Sequence, residues 1–136
     1  MASPLRLTIV TPEAQIFAGE VDMVTLPGVE GELGVYPLHT PLMTQIEPGE
    51  LVIRRGTEET HMAVGEGFAE ITGDHVTIIT DMAIEADNID EAMVEEARRR
   101  AEARLKEKLS DEDAALVQAT LARTAAQLKV KRARKR

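Results

Sequence analysis

Beyond Asp87 this chain contains no glycine and no proline, and near that residue its apolar pattern changes period. Before it, apolar residues recur at every second position: Leu5, Leu7, Ile9; Val21, Met23; Leu51, Ile53; Met62, Val64; Val76, Ile78. Period two is the mark of strands with one buried face. Turn signals fall between the runs at Pro27-Gly28, Pro48-Gly49, Arg55-Gly56 and Gly73-Asp74, so the strands are short and evenly spaced, as in antiparallel sheets packed face to face. Residues 1–86 therefore read as an antiparallel β-sandwich. Gly65-Glu66-Gly67 invites a nucleotide-loop reading, but no GxGxxG and no P-loop lysine follows, so a strand bend or bulge is the better expectation.

Residues 87–136 change to Ala, Glu, Arg, Lys and Leu, which favour helix. Asp87 or Asn88 can cap a first helix whose face carries Ala97, Ala101, Leu105 and Leu109. Ser110-Asp111-Glu112-Asp113 then supplies a second N-cap with an acidic first turn, and Val117, Leu121, Ala125 and Leu128 share a face of the helix that follows. So short a break makes the pair an antiparallel hairpin. The expected fold is thus an α+β chain in two parts, a sandwich followed by a helical hairpin. The alanine-rich seam removes little apolar area per contact, so the hairpin is expected to dock weakly and reversibly.

Between two predicted strands, Gly31 to Leu42 form a glycine-proline cluster around the single tyrosine, Tyr36. With Gly28, Gly31 and Gly34 free to take positive φ, and Pro37 and Pro41 presetting theirs, this segment reads as an elaborate loop.

Net charge is −8, but it is unevenly spread. Residues 1–86 sum to −11 and residues 87–113 to −4, whereas residues 114–136 hold seven basic residues and no acid. A basic end attracts anionic partners while the acidic body repels them. With only Phe17, Tyr36 and Phe68 aromatic, stacking recognition of nucleic acid is disfavoured, and zero cysteines remove disulfides and thiol chemistry. No apolar run approaches the roughly 20 residues of a membrane span, and Met1 to Arg6 lacks a signal-peptide layout.

Chemistry-bearing constellations are missing. His39, His61 and His75 stand apart with no metal-ligand spacing, and His61 and His75 are expected to be solvated residues at strand ends. The two serines are Ser3, near a terminus, and the cap Ser110, so no activated nucleophile suggests itself. No cofactor is expected, and a stand-alone enzyme has no motif behind it. An interaction protein is the first reading; a small nucleic-acid-binding protein anchored by its basic C-terminus is the alternative.

Several short motifs in order then become specific together: Leu7-Thr-Ile-Val-Thr-Pro-Glu13, Phe17-Ala-Gly-Glu-Val21, Gly31-Glu-Leu-Gly-Val-Tyr-Pro-Leu-His-Thr-Pro-Leu42, Pro48-Gly-Glu-Leu51, Gly65-Glu-Gly-Phe68, Thr80-Asp81-Met-Ala83 and Ile89-Asp90. Over nearly its whole length the chain closely resembles the epsilon subunits of F-type ATP synthases. The resemblance implies a non-catalytic rotor subunit whose sandwich binds the gamma subunit and the membrane-embedded ring of c subunits. Glu32 and His39 are then the candidates for contact with the ring, and Asp87, Asn88, Ile89 and Asp90 form the hinge. It further implies a hairpin that permits ATP hydrolysis when folded and blocks it when extended among the catalytic alpha and beta subunits. Arg123 and Lys129 are the candidate contacts to an acidic segment of beta, with Lys131 to Arg136 a frayed tail or an extra attachment. A bacterial source is implied, with the subunit peripheral to the cytoplasmic face of the plasma membrane.

Some members of that family bind ATP through an Ile/Leu-Asp-x-x-Arg-Ala motif at the start of the first helix. This chain departs from it: Ile89 and Asp90 match, but Met93 stands at the arginine position, Val94 at the alanine, and Gln127 where a second-helix arginine belongs, while Arg100 and Arg123 remain. A thioether cannot replace charge-assisted bonds to phosphate, so ATP binding is expected to be absent or very weak.

Overall fold

A computed structural model describes residues 4–134; Ser3 and the last two residues of the expected basic tail, Lys135 and Arg136, lie outside the described residues. Ten strands precede two helices: β1 (Leu5–Val10), β2 (Gln15–Val21), β3 (Met23–Gly28), β4 (Gly31–Val35), β5 (Leu42–Ile46), β6 (Gly49–Arg55), β7 (Glu58–Val64), β8 (Gly67–Thr72), β9 (His75–Thr80) and β10 (Ala83–Glu85), then α1 (Glu91–Leu105) and α2 (Asp111–Arg134). The strands pair in the order β10-β7-β6-β3-β5-β8-β9-β1-β2, with β4 on β3. All pairs are antiparallel except β1 with β9, which run parallel.

One ten-stranded sheet makes both layers because it folds at a weak joint. β3 and β5 share a single registered pair, Gly28 with Ile46, so the sheet bends there. On the far side, the Asp22 N–H donates to the Arg54 carbonyl at 2.8 Å and draws the end of β2 toward β6. Leu5, Leu7, Ile9, Val76, Ile78, Ala69 and Ile71 from one half meet Val24, Leu26, Val35, Leu51, Ile53, Met62 and Val64 from the other in one core. The alternation that predicts the strands is the alternation that fills this core.

Two glycines mark where the chain crosses between layers. A Cβ on Gly65 would run into the Asp81 side chain, and one on Gly67 into the Ile79 carbonyl oxygen. Gly65-Glu66-Gly67 is therefore the corner between β7 and β8, stacked on the matching corner between β9 and β10. The two corners are tied by Asp81 N–H to the Glu66 carbonyl at 3.1 Å and by the Thr80 hydroxyl to the same carbonyl at 3.0 Å.

The glycine-proline cluster differs from its expectation. Gly31 alone among Gly28, Gly31 and Gly34 has positive φ, +122°, and Gly31–Val35 is the second strand of a tight hairpin on β3. Gly28 is needed for closeness instead, since a Cβ there would press on the Gly31 carbonyl oxygen. The irregular segment shortens to residues 36–41.

The hairpin also departs in detail. Asp87 and Asn88 belong to a short 3₁₀ turn, Ala86–Asn88, and the cap of α1 is Asp90, whose carboxylate accepts the Met93 N–H at 3.2 Å. Ile89, buried between them, fixes where the helix can start. On the hairpin seam Ala101, Val117 and Leu128 are buried as expected, but Leu105 and Ala125 are exposed, and Thr124 is buried, its hydroxyl satisfied by the Leu121 carbonyl. A second stripe of α2 faces the sandwich, where fully buried Val130 packs with Ala63, Ala86 and Ile89, flanked by Ile84 and Val94. α2 is thus buried on two sides.

Candidate functional site

The two outer faces of the sandwich are treated differently. The face of β6, β7 and β10 is covered by α2 through Ala63, Ile84 and Val130. The outer face of β5, β8 and β9 has no element of the chain over it and carries an apolar row: Phe68 pairs with Ile79, and Ile79 with Val10, so these three lie together across β8, β9 and β1, with Gln45 and Glu70 as polar neighbours. Phe68 and Ile79 are 50% and 58% exposed, and Met43 on β5 is 65% exposed. Apolar side chains left in register on a bare sheet are a docking surface in waiting. The signal for them was present in the sequence as broken alternation, Leu42-Met43 and Ile78-Ile79, where an outward position is apolar.

At one end, β4 carries Glu32, exposed opposite Pro27, and the turn beyond it carries His39, half-buried. The His39 N–H donates to the Gly73 carbonyl at 3.1 Å and its Nδ1 lies 2.6 Å from the Thr40 carbonyl, so this segment is tied down rather than loose. Between them Leu38 takes φ +65° and is 73% exposed. An exposed leucine held in the left-handed region is strain without an internal return, the kind kept at contact sites; sequence reasoning passed over it.

His75 opens β9 as expected and His61 lies within β7; both are partly buried, and each has a side-chain partner. His61 Nδ1 lies 3.1 Å from Glu50 and Nε2 3.4 Å from Glu59, and His75 Nε2 is 3.2 Å from the Thr8 hydroxyl. Among the described residues no group of three or more His, Asp or Glu side chains is placed to hold a metal ion.

The basic helix is engaged along its length. Arg123 reaches Asp81 at 3.6 Å and donates to the Thr120 hydroxyl at 3.3 Å. Lys131 donates to the Ala86 carbonyl at 3.1 Å, and Arg132 spans Glu91 at 3.0 Å and Glu95 at 2.8 Å. Lys129 is exposed. The expected frayed tail is helical through Arg134, because these bonds hold its first residues. Arg98, hydrogen-bonded to Glu95, holds that carboxyl below the usual carboxylate range against an opposing effect of burial, and Arg132 adds to the depression. A depressed carboxyl stabilises the fold above its ordinary pKa and loses that stabilisation only as pH falls through the lowered value, so near neutrality these pairs are fully formed.

Met93 is largely exposed and Val94 packs toward the Val130 cluster, while Gln127 is half-buried on α2. Of the two remaining arginines, Arg100 pairs with Glu96 within α1 and Arg123 with Asp81. Among the described residues no helix is long and apolar enough to cross a membrane.

With this geometry, comparison with known proteins is decisive. The family "ATP synthase, Delta/Epsilon chain, beta-sandwich domain" matches residues 4–86, and "ATP synthase, Delta/Epsilon chain, long alpha-helix domain" matches residues 87–132. The chain belongs to the ATP synthase epsilon-chain family. An ATP synthase epsilon chain of Laribacter hongkongensis is 42% identical over 129 residues, covering 93% of this chain and 92% of that one, and one of Dehalococcoides mccartyi is 43% identical, covering 97% and 95%. In fold the chain is similar to a chain in the Euglena gracilis mitochondrial ATP synthase, with TM-score 0.78 at 23% identity, covering 95% of this chain and 81% of that one. As an epsilon chain it is a non-catalytic, central-stalk subunit of an F-type ATP synthase, and the chemistry-poor sequence is explained.

Proposed function

We propose that this epsilon chain joins the gamma subunit to the ring of c subunits, peripheral to the cytoplasmic face of a bacterial plasma membrane, and that its extended hairpin restrains ATP hydrolysis. The asymmetry of the sandwich carries the reading. The α2-covered face has its partner within the chain; the bare row of Phe68, Ile79 and Val10, with exposed Met43 on the same face, needs one from outside, and gamma fits it. Glu32, His39 and strained Leu38 form the end offered to the c subunits, where a carboxylate pairs with basic or amide groups of their loops. The Euglena assembly is described as containing F1 and the c-ring, and a Tetrahymena thermophila one as central stalk and c-ring, which agrees with such a position.

When the hairpin opens at residues 87–90, Arg123 and Lys129 face the acidic segment of beta, with alpha alongside. ATP does not hold the hairpin closed, since Met93 and Gln127 stand where guanidinium groups of the motif would bind a triphosphate; calorimetry on the full chain should show no submillimolar ATP affinity, and finding one overturns this.

Co-purification with gamma tests the docking face. Phe68→Glu combined with Ile79→Lys should abolish it while the isolated chain keeps its fold, because neither side chain contributes to the core. Retained gamma binding would remove that face from the assignment.

A further inference from the structure

Of the described cationic side chains on α2, Arg123, Lys131 and Arg132 are occupied within the chain, and Lys129 alone is fully exposed without such a partner. The occupying groups come from other elements. Arg132 reaches 41 residues back to Glu91 and 37 to Glu95, and Lys131 reaches 45 back to the Ala86 carbonyl. By contrast, Arg98 with Glu102 and Arg100 with Glu96 lie within α1 and hold nothing but that helix.

The geometry of Arg132 is specific. Its Nε donates to one carboxylate and its terminal nitrogen to another, so one planar fork bridges the first two turns of α1. One turn away, the Ala86 carbonyl that accepts Lys131 also accepts the Ile89 N–H that closes the hinge turn. The end of α2 and the turn at residues 86–89 thus meet at one carbonyl.

We propose that Glu91, Glu95 and Asp81 form an electrostatic latch that holds the hairpin folded by standing in for an acidic partner on the cations of α2. An acidic protein segment that offers carboxylates in exchange then draws the helix off the sandwich. This rests on the regulatory reading above for the partner's chemistry, but the latch itself belongs to the isolated chain. Because its groups are solvent-accessible, salt is the lever: the Debye length falls from about 10 Å at 0.1 M to about 3 Å at 1 M.

Amide hydrogen exchange of α2 and the hinge in the full chain reports the open population even when it is rare. Glu91→Gln with Glu95→Gln should raise exchange at these amides about three- to tenfold, whereas the charge-matched control Glu96→Gln with Glu102→Gln, which breaks only pairs inside α1, should leave it nearly unchanged. Added salt should accelerate exchange in the wild type and do little more in the first variant. Arg132→Glu should open the hairpin, and Glu95→Arg added to it should close it again. Equal effects of the two double variants, or none from either, would overturn the latch. Hydrolysis by the cognate complex separates the two ideas: faster exchange without stronger inhibition sinks the regulatory reading and leaves the latch, whereas stronger inhibition without faster exchange sinks the latch.

Discussion

At the scale of single residues, the most constrained positions are those where backbone passes close to backbone. Gly67 lies against the Ile79 carbonyl, which is pinned in the β8–β9 ladder and cannot yield, whereas Gly65 lies against the Asp81 side chain, which can. Gly67→Ala should therefore destabilise the sandwich by about 2 kcal/mol in chemical denaturation, as overpacking does. Gly65→Ala should cost less and weaken the tie between Arg123 and Asp81 instead. A Gly67→Ala variant as stable as the wild type would mean that this corner has room the structure does not show. The sequence singled out the Gly65-Glu66-Gly67 bend, but not which atoms required it. The close neighbours come from residues 79 to 81, brought there by the fold, and no local pattern announces them.

At the scale of elements, strands were legible because burial on one face writes period two into the chain. β4 was hidden because Gly31 and Gly34 look like loop residues, though only Gly31 turns. The start of α1 was misplaced because Asp87, Asn88 and Asp90 are all competent caps; what selects Asp90 is the burial of Ile89, a tertiary event. The seam of α2 was half legible: its stripe toward α1 follows helical spacing, but Ala126 and Val130 became core only because a sandwich face lies beneath them. Removing two methyl groups there should loosen the hairpin without touching the sandwich, whose core is built from strand residues alone. Val130→Ala should cost about 2 kcal/mol of docking, seen as faster tryptic cleavage within α1 and α2 while the sandwich fragment persists. Simultaneous loss of both would show that the two parts unfold as one unit.

At the scale of the molecule, the charge gradient is the feature that connects the fold to the proposed regulation. Asp81 of the sandwich and Glu91 and Glu95 of α1 receive the cations of α2, so the same charges proposed to suit an outside partner also hold the helix at home. That gradient was visible in composition; which carboxylate meets which guanidinium was not, since the pairs join residues some forty positions apart. Likewise the candidate contacts Glu32, His39, Arg123 and Lys129 came from family resemblance, while the bare row of Phe68 and Ile79 emerged from sheet register.

The most direct measurement is ATP hydrolysis by the cognate catalytic complex assembled with the full chain, and with a chain ending at Asp87. Hydrolysis several-fold faster with the shortened chain, at equal assembly, is the expected result, because the sandwich keeps its own core and the face proposed for gamma while the helices proposed to restrain hydrolysis are gone. Unchanged hydrolysis with assembly intact would contradict it, and would leave the sandwich as the working part of the molecule.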